Sequence, residues 1–157
     1  MKRAHLLLSG VAAVAALFML ASPAAAAVQI PFFADSGDKC QYGYTKGVLS
    51  LPSVPTRLVK VAGVVVDRPD GPGIPELCPD DGRFSFAVLV AYIGTTSVDG
   101  ERIPVDNSAR EYRIDLTNMI STRPIDRVSV QVCRQPRLVG GPPAYCGVQQ
   151  DYRLPIS

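Results

Sequence analysis

The chain is 157 residues long, with 16 basic and 14 acidic residues, one His, four Cys and no Trp. Two of the basic residues, Lys2 and Arg3, and the one His, His5, precede an apolar N-terminal run, so the rest of the chain holds 14 basic against 14 acidic residues and no imidazole. A neutral balance offers no electrostatic footprint for nucleic acid or an anionic membrane surface. Without imidazole, His-dependent triads and His-ligated zinc or copper centres are excluded.

Residues 1–27 have the order of a secretory signal peptide. Lys2 and Arg3 lead, Leu6 to Leu20 is uncharged and largely apolar, and Ala24-Ala25-Ala26 or Ala25-Ala26-Ala27 gives the small-residue site for cleavage before Ala27 or Val28. The apolar run is shorter than the roughly 20 residues a membrane-spanning helix needs. No Cys follows it as a lipid-attachment site. The expectation is an exported, extracellular protein with no stable membrane insertion after cleavage. Residues 28–157 are then a single domain of a length that buries a real core.

In chain order, Val28 to Phe33 is a short β-prone run broken by Pro31, suited to an edge strand. Gln41 to Leu51 predicts a second strand, kinked near Gly43 or Gly47. Arg57 to Asp67 is a third, dense in Val. Arg68 to Arg83 is a long loop rich in Pro and Gly that no helix can cross. Phe84 to Ile93 follows, the longest stretch after the leader without Pro, Gly or charge. Phe84, Phe86, Val88, Val90 and Tyr92 alternate with Ser85, Ala87, Leu89, Ala91 and Ile93, the pattern of a central strand covered on both faces. Asp99-Gly100 reads as a hairpin turn. Arg110 to Leu116 alternates as a half-exposed strand, with Tyr112, Ile114 and Leu116 inward. Thr117 to Pro124 has room for one helical turn. Asp126 to Arg134 carries Val128, Val130 and Val132 on one face, and Tyr145 to Arg153 is a last strand with a bulge expected near Gly147. About seven strands with regular turns predict an all-β fold, an antiparallel β-sandwich of immunoglobulin-like or similar type, with a small β-barrel as the alternative.

Cys40, Cys78, Cys133 and Cys146 are an even set without C-x-x-C spacing, which in an exported chain reads as two disulfides rather than zinc. A Cys133–Cys146 bridge would span the neck of a hairpin and Cys40–Cys78 would tether the long loop. On the chain-entropy argument these are worth about 3 and about 4 kcal/mol respectively.

Gly63-Val64-Val65-Val66-Asp67, followed by Asp81-Gly82-Arg83-Phe84-Ser85-Phe86, is similar to the opening of the transthyretin-like, carboxypeptidase-regulatory type of β-sandwich, in which a strand ending in Asp precedes Asp-Gly-Arg-Phe. The intervening strand of that family is missing here and Cys78 stands in the gap. The resemblance implies a sandwich fold and no activity.

Three sets of residues invite a chemical reading. Asp67, Asp70, Asp80 and Asp81 are hard oxygen ligands around one loop, the only indication of a cofactor, and that would be Ca²⁺. Asp80 and Asp81, with Glu76 nearby, are also the sole candidates for carboxylate-based hydrolysis; the competing reading is turn capping. Ser nucleophiles lack a base, since Lys39, Lys46 and Lys60 all read as surface. The loop from Arg134 to Tyr145 displays Arg134, Arg137, Leu138 and Tyr145 between two Cys, and a braced loop loses little entropy on binding. The expectation is a non-enzymatic secreted β-sandwich that binds an extracellular protein or cell-envelope component. The alternatives are a protease inhibitor acting through Arg137 in the loop 134–145 and a weak acidic-residue hydrolase.

Overall fold

The computed structural model describes residues 27–38, 42–67, 80–138 and 144–156. The expected leader lies outside these residues apart from Ala27, as do Lys39, Cys40, Asp70, Glu76, Cys78 and the proposed Cys40–Cys78 bridge.

Nine strands form: β1 (Val28–Asp35), β2 (Tyr44–Leu51), β3 (Leu58–Val66), β4 (Arg83–Ile93), β5 (Thr96–Val105), β6 (Ala109–Thr117), β7 (Arg127–Pro136), β8 (Tyr145–Cys146) and β9 (Gln150–Arg153). They make two antiparallel sheets, a four-stranded one in the order β1-β2-β3-β6 and a five-stranded one in the order β5-β4-β7, with β8 and β9 both on the far edge of β7. Neither sheet closes on itself, so the fold is a sandwich and not the small barrel.

The count exceeds the expected seven for two reasons. The last strand is split: Cys133 faces Cys146 while Val130 faces Gln150, which leaves one extra residue between them, the bulge expected near Gly147. A Cβ on Gly147 would lie 1.9 Å from the Asp35 carbonyl oxygen, so this position is closed to any side chain. The other addition is β5. The hairpin turns at Gly94-Thr95, with Gly94 at φ 60°, and not at Asp99-Gly100, which lies inside β5 opposite Ala91 and Val90. Asp99 sits at a register shift in the pairing with β4, and its carboxylate accepts the Thr117 N–H at 2.7 Å from the open edge of β6. Its polar side chain closes one flank of the sandwich. Tyr152 closes the other: its hydroxyl accepts from Phe33 N at 2.9 Å and donates to Phe33 O at 2.8 Å on the open edge of β1. Each flank thus has one backbone position of its edge strand taken by a side chain of the other sheet.

The helical turn expected over 117–124 does not form. Asn118 holds that segment instead, its Oδ1 accepting from Ile120 N and Ser121 N and its Nδ2 donating to Arg123 O, the local bonding that makes Asn a turn former.

The core lies between Leu49, Leu51, Val59, Val61 and Val65 of one sheet and Ala87, Leu89, Ala91, Val128, Val130 and Val132 of the other. Each fully buried Val or Leu contributes roughly 1.5–3 kcal/mol. In β4 it is the small row that faces the core. The bulky row is turned outward, Phe86 buried and the others half-covered, with the Arg102 guanidinium 3.5 Å from the Phe86 ring centre and that of Arg127 4.0 Å from Tyr92. Within the four-stranded sheet, Phe32, Gly47, Gly63 and Tyr112 are consecutive partners across its strands. A Cβ on Gly47 would approach the Phe32 ring to 2.7 Å and one on Gly63 the Tyr112 hydroxyl to 2.8 Å, so the two rings lie over two glycines.

Candidate functional site

The strands carry the candidate residues to two places. At one end of the sandwich, where Asp38, Tyr42, Asp67, Asp81 and Tyr145 come together, Arg134 is the hub. Period two places it in the inward row after Val128, Val130 and Val132, so it is buried and only 1% exposed. Its fork grips Asp81, Nη1 to Oδ2 at 2.8 Å and Nη2 to Oδ1 at 2.9 Å, and Nη2 reaches Asp67 at 3.3 Å. The Tyr42 ring centre lies 4.7 Å from the guanidinium carbon. Arg134 Nε is buried with no acceptor among the described residues. Burial works against this charge, but the Asp81 and Asp67 carboxylates more than offset it and hold the guanidinium above its usual pKa.

Asp67 is equally buried and fully engaged, accepting from Ser85 Oγ at 2.8 Å and Asn107 N at 3.0 Å. Asp80 accepts from Arg137 Nη1 at 2.7 Å, Gly82 N at 3.0 Å and Asn107 Nδ2 at 3.0 Å. The Arg137 bond is the largest reason its carboxyl is held well below the usual carboxylate range. Arg137 also binds Asp106, and the two carboxylates raise its pKa further. Tyr145 donates its hydroxyl to Asp38 at 2.7 Å; burial and that carboxylate push its pKa up. Ser36 Oγ donates to Asp38 at 2.6 Å.

Two expected groupings thus meet each other. The carboxylates read as calcium ligands, Asp67, Asp80 and Asp81, face the arginines read as partner-binding. Arg134 is not displayed on a loop; it is the buried end of β7. Arg137 is tied down on both sides, and Leu138, 78% exposed, is the side chain the loop presents. Among the described residues no group of His, Cys, Asp and Glu is arranged to hold a metal ion. Cys133 and Cys146 are joined by the expected disulfide across the hairpin neck, on the outer side of the five-stranded sheet.

The second place is the outer face of the four-stranded sheet. Asp35 pairs with Tyr44 and Phe33 with Lys46 on adjacent strands, all four side chains pointing outward. One diagonal of this square is aromatic: Phe33, 51% exposed, stacks on Tyr44 with ring centres 6.2 Å apart. The other diagonal is charged, yet Asp35 and Lys46 form no ion pair. These residues, with Tyr42 and Asp38, line a cleft of about 450 Å³, within the roughly 300–1,000 Å³ of ligand sites. A second depression of about 720 Å³ continues across β2, β3 and β6, floored by Gly47, Ala62, Gly63 and Val64 and edged by Glu111 and Arg113. Lys46 lines both. Every ion pair among the described residues uses Arg127, Arg134 or Arg137; Lys46, Glu111 and Arg113 have none.

The sequence reading passed over this face. Alternation alone puts Phe33, Asp35, Tyr44 and Lys46 outward, but only the β1–β2 register makes them neighbours.

No family model, curated protein or solved structure matches the chain, and the likeness of 63–67 and 81–86 to transthyretin-like sandwiches draws no support from a family match.

Proposed function

We propose that the chain is an exported, non-enzymatic binding module whose ligand surface is the outer face of the four-stranded sheet, and that its ligand belongs to the cell envelope. We read the fold as an immunoglobulin-like sandwich, since two open antiparallel sheets are joined by crossings from β3 to β4, β5 to β6 and β6 to β7, and assign Cys40 and Cys78 to a second disulfide. The observation that carries the function is the distribution of unpaired polarity. Charged groups at the loop end are consumed by one another, whereas Asp35, Lys46, Glu111 and Arg113 enter no ion pair among the described residues and line two depressions that share Lys46, one of them beside the exposed Phe33 ring. Hydrolysis needs a carboxylic acid of raised pKa, and Asp80 is displaced the opposite way. Inhibition of a protease through Arg137 would require that side chain to leave Asp80 and Asp106 together.

The test is co-sedimentation of the exported protein with the envelope fraction of its own cell. Binding by the wild type and its loss in a Phe33→Ala, Tyr44→Ala variant is the expected result. Equal retention of the two proteins would refute the assignment of this face.

A further inference from the structure

We infer that the ligand of this face is a neutral glycan chain lying across the strands from the Phe33–Tyr44 cleft to Glu111 and Arg113. The inference rests on the reading that the outer face of the four-stranded sheet is the binding surface, and it fixes the chemistry of what binds there.

A cationic ligand would meet Lys46 and Arg113, and an anionic one would meet Asp35 and Glu111; each depression carries both signs at its rim. A polyhydroxylated ring uses all four. Its hydroxyls donate to carboxylates, which have only acceptor oxygens, and accept from ammonium and guanidinium groups, which have only donors. Among the described residues none of the four is spent on an ion pair, and Asp35, whose Oδ1 accepts the Gly37 N–H at 2.9 Å, keeps its other carboxylate oxygen for a ligand hydroxyl.

Stacking comes next. A pyranose has an apolar C–H face, and Phe33, half exposed and fixed by Tyr44, offers a ring beside the charges. Shape agrees. The groove crosses from β1 to β6, three inter-strand steps of the sheet, or roughly 14 Å at the usual strand spacing. That is the reach of a few linked sugars, not of one. Where it passes over β3 the outward side chain is the short one of Ala62, so a chain can lie close to the sheet there.

The experiment separates this inference from the one beneath it. Envelope sediment of the producing cell is used in two forms, untreated and reduced to its glycan by exhaustive protease digestion and solvent extraction. The exported protein should bind both forms, with affinity unchanged at high salt because no net charge is neutralised. Tyr44→Ala should weaken binding to both by about tenfold, the loss of one aromatic contact. Lys46→Ala, at an exposed position that folding does not depend on, should weaken it as well and keeps the test valid if Tyr44→Ala fails to fold. Binding to untreated sediment that is sensitive to these variants but absent from the stripped glycan would overturn the glycan and leave the binding face standing, with a protein or lipid ligand. Binding to either form that the variants do not alter, or no binding to untreated sediment, would overturn both.

Discussion

Arg134 and Arg137 at the loop end and Lys46 and Arg113 on the outer face are similar chemistry in opposite settings. The first two enclose several carboxylates each, Asp67, Asp81 and, at 3.7 Å, Asp38 for Arg134, and Asp80 and Asp106 for Arg137. The last two face water with no ion pair. The difference follows from dielectric. A charge carried into the interior must be paired there or it costs several kcal/mol, while at the surface water screens it and a partner adds little. Polarity at the loop end is therefore structural, holding connections that the two sheets alone do not fix. Polarity on the outer face is not needed for folding and is free for a ligand.

The largest expected effect lies at the loop end. Arg134→Ala would leave the buried Asp67 without its cation and Asp81 without its fork, and a broken buried pair costs about 3–5 kcal/mol. Denaturant unfolding should show the extrapolated unfolding free energy falling by that amount, as a lower midpoint with an unchanged slope. Arg134→Lys should recover only part of it, because an ammonium cannot match both Asp81 oxygens. A loss below about 1 kcal/mol, typical of a surface pair, would erase the distinction between the two regions.

Beneath the outer face a smaller effect marks where structure ends and surface begins. Tyr112 is buried under the sheet, its hydroxyl 2.8 Å from Thr45 Oγ1, and burial pushes its pKa from 10.0 up to about 12. A folded-state value above the unfolded one keeps its stabilisation intact below pH 10.0 and loses it as pH rises toward about 12, because the unfolded chain ionises first. Tyr112→Phe should cost about 1 kcal/mol at neutral pH for the lost hydrogen bond and should remove that part of the alkaline decline. Parallel alkaline limbs in wild type and variant would show that this hydroxyl is not sealed from solvent.

Both regions were written in the alternation of the sequence, to different depths. Asp67 follows Val65 in the inward row of β3, Ser85 precedes Ala87 in that of β4, and Arg134 follows Val132 in that of β7. Period two alone would have brought these polar ends into the core, with Ser85 and Arg134 as direct cross-strand partners. They were read instead by residue type, as metal ligand, strand residue and loop display. The outer face was hidden for another reason. Its square of Phe33, Asp35, Tyr44 and Lys46 depends on the β1–β2 register, which no local pattern specifies. β5 escaped because Asp99-Gly100 carries the chemistry of a turn, while the bulge it occupies serves the edge of β6, a neighbour far along the chain. The edge strand at β1, the central β4, the alternating β6 and β7 and the bulge near Gly147 are local and legible.

The smallest expected effect on folding decides whether the outer face is free. Lys46→Ala and Arg113→Ala remove charges that enter no ion pair among the described residues, so stability should stay within about 0.5 kcal/mol of wild type. Their cost should appear only in envelope binding. If either variant instead unfolded more easily by an amount comparable to Arg134→Ala, its charge would belong to the scaffold and the groove would have no uncommitted polarity to offer. A shift confined to binding would show that the sandwich keeps one set of charges for itself and leaves the other to whatever lies across β1, β2, β3 and β6.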